Sequence, residues 1–480
     1  MGYIKGDRNQ LTLMPAAIED YVAIDDPVRA YDAFIDTLDF AQLGIKRDDN
    51  QSGANSYWPK AMLKLLVYGY SYGIRSSRKL ERACYHNLSF IWLTEGIKPD
   101  YRTIARFRID NKGTVKNILK QSVRMCLRLD LIEGNTLFID GTKIKANAAL
   151  RNTWTQKDCQ EYMEKISKNI EKILDECDRV DNNEAEAGSL VKLKEELQDK
   201  EALKATIKKI TTDLQKNEKT YINTTDSDSI KSKSDRGVKM YHNCQITVDE
   251  KNGLIVNADV VGKDNDANQL SVQTKQAQEV LEKPPKTIYA DSGYYGLNDL
   301  GKLDSSMTVI VPAQNQITKE RTPEKTKPFP KEQFRYDDKQ DCYLCPENKK
   351  LQRTDLTIPD RPNAIIYKAQ GKERKGCKHF GTCTTSKIGR KIIRQKDEAL
   401  MRRLAKTYLS DVGQKVYKLR KQKVELPFAH FKQNMNIRQL LLCGVEKVNA
   451  ELNLCAIGYN LTRMIGLLGV HRLKEAFNTV

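Results

Sequence analysis

The sequence predicts an α/β core that is preceded by a helical domain and interrupted by two inserts, and three observations predict it. Two short apolar, β-favouring runs, residues 136–139 and 286–290, end in Asp140-Gly141 and Asp291-Ser292-Gly293, as buried strands do where they close into turns. Between them the apolar spacing switches to alternating fours and threes, which is helical. The other elements follow as strand, hairpin pair, helix, strand, helix, strand and late helices. That is the element order of a ribonuclease-H-like α/β domain with a mixed five-stranded sheet.

Residues 1–130 read as an all-α N-terminal domain. Pro59, after Tyr57-Trp58, suits the first position of a helix through Met62, Leu63, Leu65, Leu66 and Tyr70. A second helix covers residues 78–84. Lys98-Pro99-Asp100 gives a stop and then an N-cap for a helix over 101–109. This helix carries Arg102, Arg106 and Arg108. Arg102 and Arg106, four apart, share a face that either lies against DNA in helix-turn-helix fashion or is simply solvated.

Residues 131–150 hold the first strand of the core. Residues 151–222 form the first insert, a helical hairpin of coiled-coil type. Ile166, Ile170, Ile173, Cys177 and Val180 mark one helix, and Leu203, Ile207, Ile210 and Leu214 the other. Asp181-Asn182-Asn183 and Ala187-Gly188-Ser189 mark the turn between them. The core resumes over 223–325, with strands at 245–248 and 254–261 around a turn at 249–253. A helix over 268–281 and strands at 286–290 and 307–311 follow. Residues 326–385 are a Cys-rich insert, and 386–470 form the C-terminal helical part of the core, with helices from about Lys396.

A length of 480 residues suggests about three domains. Apolar residues make up 39%, too many for a disordered chain. No apolar run reaches the roughly 18 residues of a membrane span, and residues 1–10 lack the apolar stretch of a signal peptide, so a cytoplasmic protein is expected. Net charge is +18, which predicts attraction to a polyanion. Residues 386–425 alone contain thirteen Lys or Arg against four Asp or Glu, half of that surplus. The eleven cysteines are scattered and odd in number, so they form no disulfide framework. Cys342, Cys345, Cys377 and Cys383 are grouped as a C-x2-C with two further thiols downstream. This resembles a structural zinc site, although Phe380 stands where a second close C-x2-C needs a cysteine. The other cysteines, including Cys84, Cys126, Cys244, Cys443 and Cys455, read as small apolar residues. His430 reads as surface or DNA-facing.

The chemistry rests on carboxylates. Ligands of open α/β sheets bind beyond the carboxyl ends of strands. Asp140 and Asp291, at neighbouring strand ends, converge there, and two carboxylates repel unless a cation neutralises them. Hard oxygen ligands suit Mg²⁺ or Mn²⁺. Either Asp alone is explained as the start of a turn; the pair, in this element order, is the candidate metal site. Glu425 is the only acid between Asp411 and Glu446, and Lys421 one turn back offers a plain ion-pair partner. Pro427 is expected to kink or start a helix, so that a single helical face through Glu425 and Lys432 is not assured.

The stretches LFIDGTKIKANA, TTDSDS, MYHNCQITVD, KDNDANQL, IYADSGYYG and YKLRKQKVELPFAHFK resemble bacterial insertion-sequence transposases of the Asp-Asp-Glu type. These belong to the broad IS-four and IS-five superfamily, and the chain is most similar to the IS-eleven-eighty-two group. YWPKAMLKLLVYGY and PDYRTIARFR are similar to that family's helical N-terminal domain. The resemblance runs from about residue 10 to 466. It implies a catalytic, metal-binding triad of Asp140, Asp291 and Glu425. It places the family's Tyr-Arg-Glu-Lys signature on Tyr417, Arg420, Glu425 and Lys432, with four residues instead of three between Arg420 and Glu425. Lys421 restores the shorter gap, so both cations are carried as DNA contacts. Asp226, Asp228, Asn243 and Gln245 match family segments as supporting residues.

The implied reaction is phosphoryl transfer with two divalent ions, cutting and joining double-stranded DNA at terminal inverted repeats and a target, by a homodimer or higher oligomer. Two other readings stay open at this point: a nuclease without strand transfer, and a non-catalytic DNA-binding remnant. The presence of all three acids speaks against the remnant. Inverted repeats flanking the gene would separate transposase from nuclease.

Overall fold

The computed structural model describes residues 17–45, 57–181, 187–216, 218–234, 237–314, 316–317, 328–356, 364–369, 377–379, 381–384, 386, 389–395 and 397–478. Asn182 and Asn183 of the expected turn, Phe380 and Lys396 lie outside these residues. Among the described residues no helix is long and apolar enough to cross a membrane.

Among the described residues six α-helices come first: α1 (Val28–Asp36), α2 (Pro59–Ser71), α3 (Ser77–His86), α4 (Leu88–Leu93), α5 (Tyr101–Asp110) and α6 (Thr114–Arg128). Pro59 opens α2, where its missing N–H costs nothing. Asp100 caps α5, accepting from the backbone N–H of Arg102 and Thr103 at 2.9 and 3.1 Å. From Ala61 to Ser71 every residue of α2 is buried, so this helix is surrounded rather than amphipathic. Even Lys64 is enclosed, with its ammonium on Asp32 at 2.5 Å and Asp36 at 3.1 Å.

The main sheet is built from β1 (Thr136–Lys145), β4 (Ile230–Ser234), β5 (Gly237–Asp249), β6 (Ile255–Val261), β7 (Thr287–Tyr289) and β8 (Thr308–Ile310). Its order is β4-β5-β1-β7-β8, with β6 also on β5. The 13 residues of β5 pair with β1 along their inner edge over Tyr241–Asp249, antiparallel. Their outer edge is shared end to end: β4 takes Gly237–Tyr241 and β6 takes Asn243–Val248. The sheet therefore has six strands, not five. The extra one, β4, reads IKSKS, and its lysines suit an exposed edge. β1 also runs past Asp140 to Lys145, where a turn was expected. The apolar run stops at Ile139 because β7 pairs with β1 only as far as Phe138, while β5 continues to Lys145. From Asp140 to Lys143 the strand is only partly covered and borders the site, and Ile144 returns to the core.

Between β1 and β4 lie β2 (Thr153–Thr155), α7 (Gln156–Asp181), α8 (Ala187–Lys216) and β3 (Tyr221–Asn223). β2 and β3 pair antiparallel, Thr155 opposite Tyr221, and form a stem for the two helices. The hairpin has its own core of Cys159, Ile166, Ile207, Ile210, Leu214 and Ile222. Ala187-Gly188-Ser189 starts α8 instead of belonging to the turn. After β6 come α9 (Leu270–Leu281), between β6 and β7, and α10 (Leu297–Leu300), between β7 and β8. The Cys-rich insert is a second antiparallel sheet, β9 (Arg335–Asp337), β10 (Cys342–Leu344), β11 (Lys350–Thr354), β12 (Ala364–Ala369) and β13 (Lys391–Gln395), in simple sequence order.

Four helices close the chain: α11 (Glu398–Leu409), α12 (Asp411–Gln433), α13 (Val445–Leu468) and α14 (Val470–Asn478). α12 passes through Pro427 as one helix, so no new helix starts there; Pro427 is buried. α13 is buried from Ala450 to Leu461 and packs on α2, α6 and β6. One hydrophobic cluster consequently runs from Val28 and Leu65 through Phe138, Ile246 and Val256 to Leu454. The N-terminal helices share this core with the sheet.

Buried polar ties lock the arrangement. Arg75 donates to Glu451 at 2.6 Å, with both side chains nearly inaccessible. Asp226 and His242, both fully buried, meet at 2.7 Å. Asp226 also accepts from the backbone N–H of Gly444 and Asp228, and Asp228 from that of Val445, so both carboxylates sit at the N-terminus of α13. Burial alone would raise the Asp226 pKa. The hydrogen bond and charge of His242 and the two backbone donors outweigh burial and hold it below its ordinary value.

Two predictions follow from these elements. Replacing residues 156–220 by an Asn-Gly turn joins β2 to β3 directly. The shortened chain should keep a cooperative melt while losing helical far-UV signal; an insoluble or non-cooperative product would show that the hairpin is part of the core. Asp226→Ala should cost about 3–5 kcal/mol at pH 7, because it strands a buried histidine and two donors. A depressed carboxyl pKa stabilises above its unfolded value and loses that effect as pH falls. The gap between variant and wild type should therefore close below about pH 4 in denaturant titrations.

Candidate functional site

The site forms where the parallel pair β1–β7 ends. The last paired residues are Phe138 and Tyr289, whose rings stack at 5.2 Å. Asp140 and Asp291 each lie two residues further on, at equivalent places. Asp291 turns back to accept from the backbone N–H of Gly293 at 2.8 Å, fixing the loop that follows β7. Burial pushes the Asp140 carboxyl up to about 6. The Arg420 guanidinium, 3.3 Å away, opposes this, and the charges of Asp291 and Asp266 add to it. The structure thus brings Asp140 and Asp291 into one electrostatic neighbourhood and adds Asp266, which the sequence had not singled out.

Asp266 belongs to the KDNDANQL stretch, between β6 and α9. Its Oδ1 accepts from Asn243 Nδ2 at 3.0 Å and Gln245 Nε2 at 2.6 Å. Gln245 Nε2 also reaches Asn243 Oδ1 at 2.9 Å, and its Oε1 accepts from the hydroxyl of Tyr294, which is fully buried. Two glycines make room. A Cβ on Gly141 would fall 2.3 Å from Gln245 Nε2 and 2.7 Å from Asp266 Oδ1. One on Gly293 would fall 2.9 Å from Asp291 Oδ1 and 3.5 Å from Asp266 Oδ2. The glycine after each aspartate motif is thus a requirement of close approach. The sequence signal was there in Asp-Gly and Asp-Ser-Gly, but it read as turn chemistry.

α12 lies against this end of β1. Arg420 points to Asp140, and Lys432 donates to Thr142 Oγ1 at 3.1 Å, two residues beyond Asp140. Glu425 sits between them along the helix and two turns from Lys432, on much the same side. Its side chain is 62% exposed, with Lys421 at 3.9 Å, so it is not gathered with the aspartates. Lys421 is exposed beside Glu425, while Arg420 is turned inward. Tyr417 packs edge-on against Tyr408. His430 is half-buried with its ring against Tyr459 at 5.3 Å; burial lowers its pKa. Among the described residues, no three carboxylate, thiol or imidazole groups are gathered closely enough to hold a metal ion as they stand.

Arg102 and Arg106 are exposed on α5, whereas Arg108 is buried and donates to the Tyr70 hydroxyl and the Arg75 carbonyl. α3 packs against α5 and exposes Arg78, Lys79 and Arg82, which the sequence reading passed over. Arg78 and Arg102 both lie against the Tyr101 ring, at 5.0 and 5.8 Å. In the second sheet, Cys345, Cys377, Cys383 and His379 line one cavity of about 70 Å³. Cys342 does not join them. It is buried within β10, where its neighbour Tyr343 points into the cluster that Cys345 and Cys383 pack against, and adjacent strand residues face opposite sides. Burial raises the Cys383 thiol pKa, with Arg390 opposing and Cys377 and Cys345 adding.

Two stretches of the chain match known family models. Residues 16–110 match a transposase domain (DUF772), and residues 344–465 match a transposase DDE domain. Both models are of transposases, and they bracket the strand-end aspartates; Arg420, Glu425 and Lys432 fall inside the second. No curated protein matches the chain. Among solved structures, a piggyBac transposase synaptic complex with hairpin DNA is similar at a TM-score of 0.32 and 9% identity, over 95% of this chain and 79% of that one. That likeness is too loose to carry a statement about fold or function.

Proposed function

We propose that the protein is an insertion-sequence transposase that cuts and joins double-stranded DNA by divalent-metal-dependent phosphoryl transfer. The observation that carries this reading is the pair Asp140 and Asp291, at equivalent positions beyond the last bonded residues of two parallel strands, between two stretches that match transposase models. The order β6-β5-β1-β7-β8, antiparallel through β1 and parallel beyond it, supports a ribonuclease-H-like core.

The donor set fits Mg²⁺ or Mn²⁺: anionic oxygens only, crowded enough that burial and neighbouring charge oppose ionisation of Asp140. Two such ions, when bound, would activate water or a DNA 3′-hydroxyl and stabilise the leaving oxygen. Asp140 and Asp291 hold the site. Glu425, on the same helix face as Lys432, supplies the third carboxylate. Without a cation, Arg420 neutralises Asp140; released from it, Arg420 joins Lys432 and Lys421 in holding phosphates. Arg102 and Arg106, with the basic side of α3, bind DNA away from the reaction centre, and the protein works as a dimer or larger assembly on DNA in the bacterial cytoplasm. The thiol-lined cavity takes a structural zinc ion, with His379 in the place that the sequence gave to Cys342.

The test uses labelled DNA carrying the inverted repeats that flank the gene, with Mg²⁺ or Mn²⁺. Wild type should cut and join it. Asp291→Asn and Glu425→Gln should bind it and leave it intact, while Lys432→Ala should bind it more weakly. Cleavage by Asp291→Asn at a near-normal rate would overturn the reading. Zinc is checked separately, by metal content of the purified protein. Cys383→Ser should lose the ion and Cys342→Ser should keep it; loss from both, or zinc-free wild type, would reject the His379 assignment.

A further inference from the structure

Resting on the reading of Asp291 as a reaction-site carboxylate, we infer that Asp266 is a positioning residue that sets the place of Asp291 through Gln245 and Tyr294. Each link is a hydrogen bond with a defined direction. Asp266 Oδ1 accepts from the Gln245 amide nitrogen at 2.6 Å. This holds Nε2 toward Asp266 and Asn243. The reversed amide would set Oε1 against a carboxylate oxygen. With Nε2 so held, Oε1 points the other way and accepts from the Tyr294 hydroxyl. Tyr294 lies three residues after Asp291, in the turn whose first residue is Asp291 itself.

The Gln245 amide also lies over Gly141, the residue after Asp140. One side-chain amide therefore touches both aspartate segments, and Asp266 decides which way round it stands. Gln245 is fully buried, so no water competes for its orientation. The second oxygen of Asp266 faces Gly293, the residue to which Asp291 is bonded. Asp266 thus borders the same turn from its other side. Its role is to act through the amide and the phenol; it does not itself hold the reacting groups.

The chain of bonds makes a distinctive forecast. Asn in place of Asp266 keeps a carbonyl oxygen that accepts from Gln245, whereas Ala does not. In the full chain without DNA, Asp266→Ala and Tyr294→Phe should each speed backbone hydrogen exchange over residues 291–295 several-fold. The double variant should speed it no further, and Asp266→Asn should stay near wild type. With DNA ends and Mn²⁺, Asp266→Ala and Tyr294→Phe should lower kcat by about ten- to a hundredfold at unchanged DNA affinity, and Asp266→Asn should rescue it. Equal damage by Asn and Ala, additive effects in the double variant, or no change in exchange would each overturn the inference. If the exchange pattern holds while wild type cuts no DNA, the proposed function fails and this inference stands. If Asp291→Asn abolishes cleavage while exchange is the same in every variant, the inference fails alone.

Discussion

The ion pair between Arg75 and Glu451 holds the two ends of the chain in one body. Both groups are out of water, so their attraction must compensate for the hydration they gave up, and it does so only with help. Glu451 takes the backbone N–H groups of Leu441 and Leu442, and Arg75 donates to the carbonyls of Asn436 and Gln439. The pair thereby organises the segment between α12 and α13. Since α12 carries Arg420, Glu425 and Lys432, the placement of these three against β1 depends on a contact made beside the N-terminal helices. Arg108, which donates to the Arg75 carbonyl, extends the same tie into α5.

At the site itself the governing constraint is crowding of like charge. Asp140, Asp266 and Asp291 act on one another at Asp140, where burial works against ionisation and the Arg420 guanidinium opposes it. Such crowding is costly unless hydrogen bonds and opposite charge offset it. The glycines beside Asp140 and Asp291 permit the crowding, because any side chain at 141 would collide with the Gln245 amide. Tyr294 is held in the same field: burial raises its phenol pKa well above the ordinary value, and the three aspartates add to that. A neutral phenol can then serve as a fixed donor.

Much of this was legible in the chain. Asp100 before α5 and Pro59 at the start of α2 are local signals, and they mark the observed starts. The two aspartates could be picked out because each follows directly on a short apolar, β-favouring run. Other features depended on distant partners. Arg108 looked like one more basic residue of α5 until Tyr70 and the Arg75 carbonyl enclosed it. Asp266 sits in a polar loop, and nothing local distinguishes it from Asp264; only Asn243 and Gln245 arriving from β5 do. Cys342 in β10 and Cys345 just after it make an apparent C-x2-C, but strand alternation turns Cys342 away from the side that Cys345 packs on, and a spacing rule has no access to that geometry. The extent of β1 was missed for a related reason: its far half is held by hydrogen bonds to β5, and hydrogen bonds leave no apolar pattern.

The burial of α13 bears on how the molecule is made. Its flanks contact α2, α6 and β6, elements that leave the ribosome long before Val445–Leu468 does. Until that helix arrives, α2 has a face of leucines with nothing against it, and Arg75 has no counter-charge. Contacts this far apart in sequence close late and slowly. The nascent chain must therefore wait, with apolar surface open to chaperones or to aggregation, for a segment at the far end. A product shortened before Val445 is then no smaller working version of the protein. It lacks the keystone of the core that the N-terminal helices share with the sheet, and quality control is its destination.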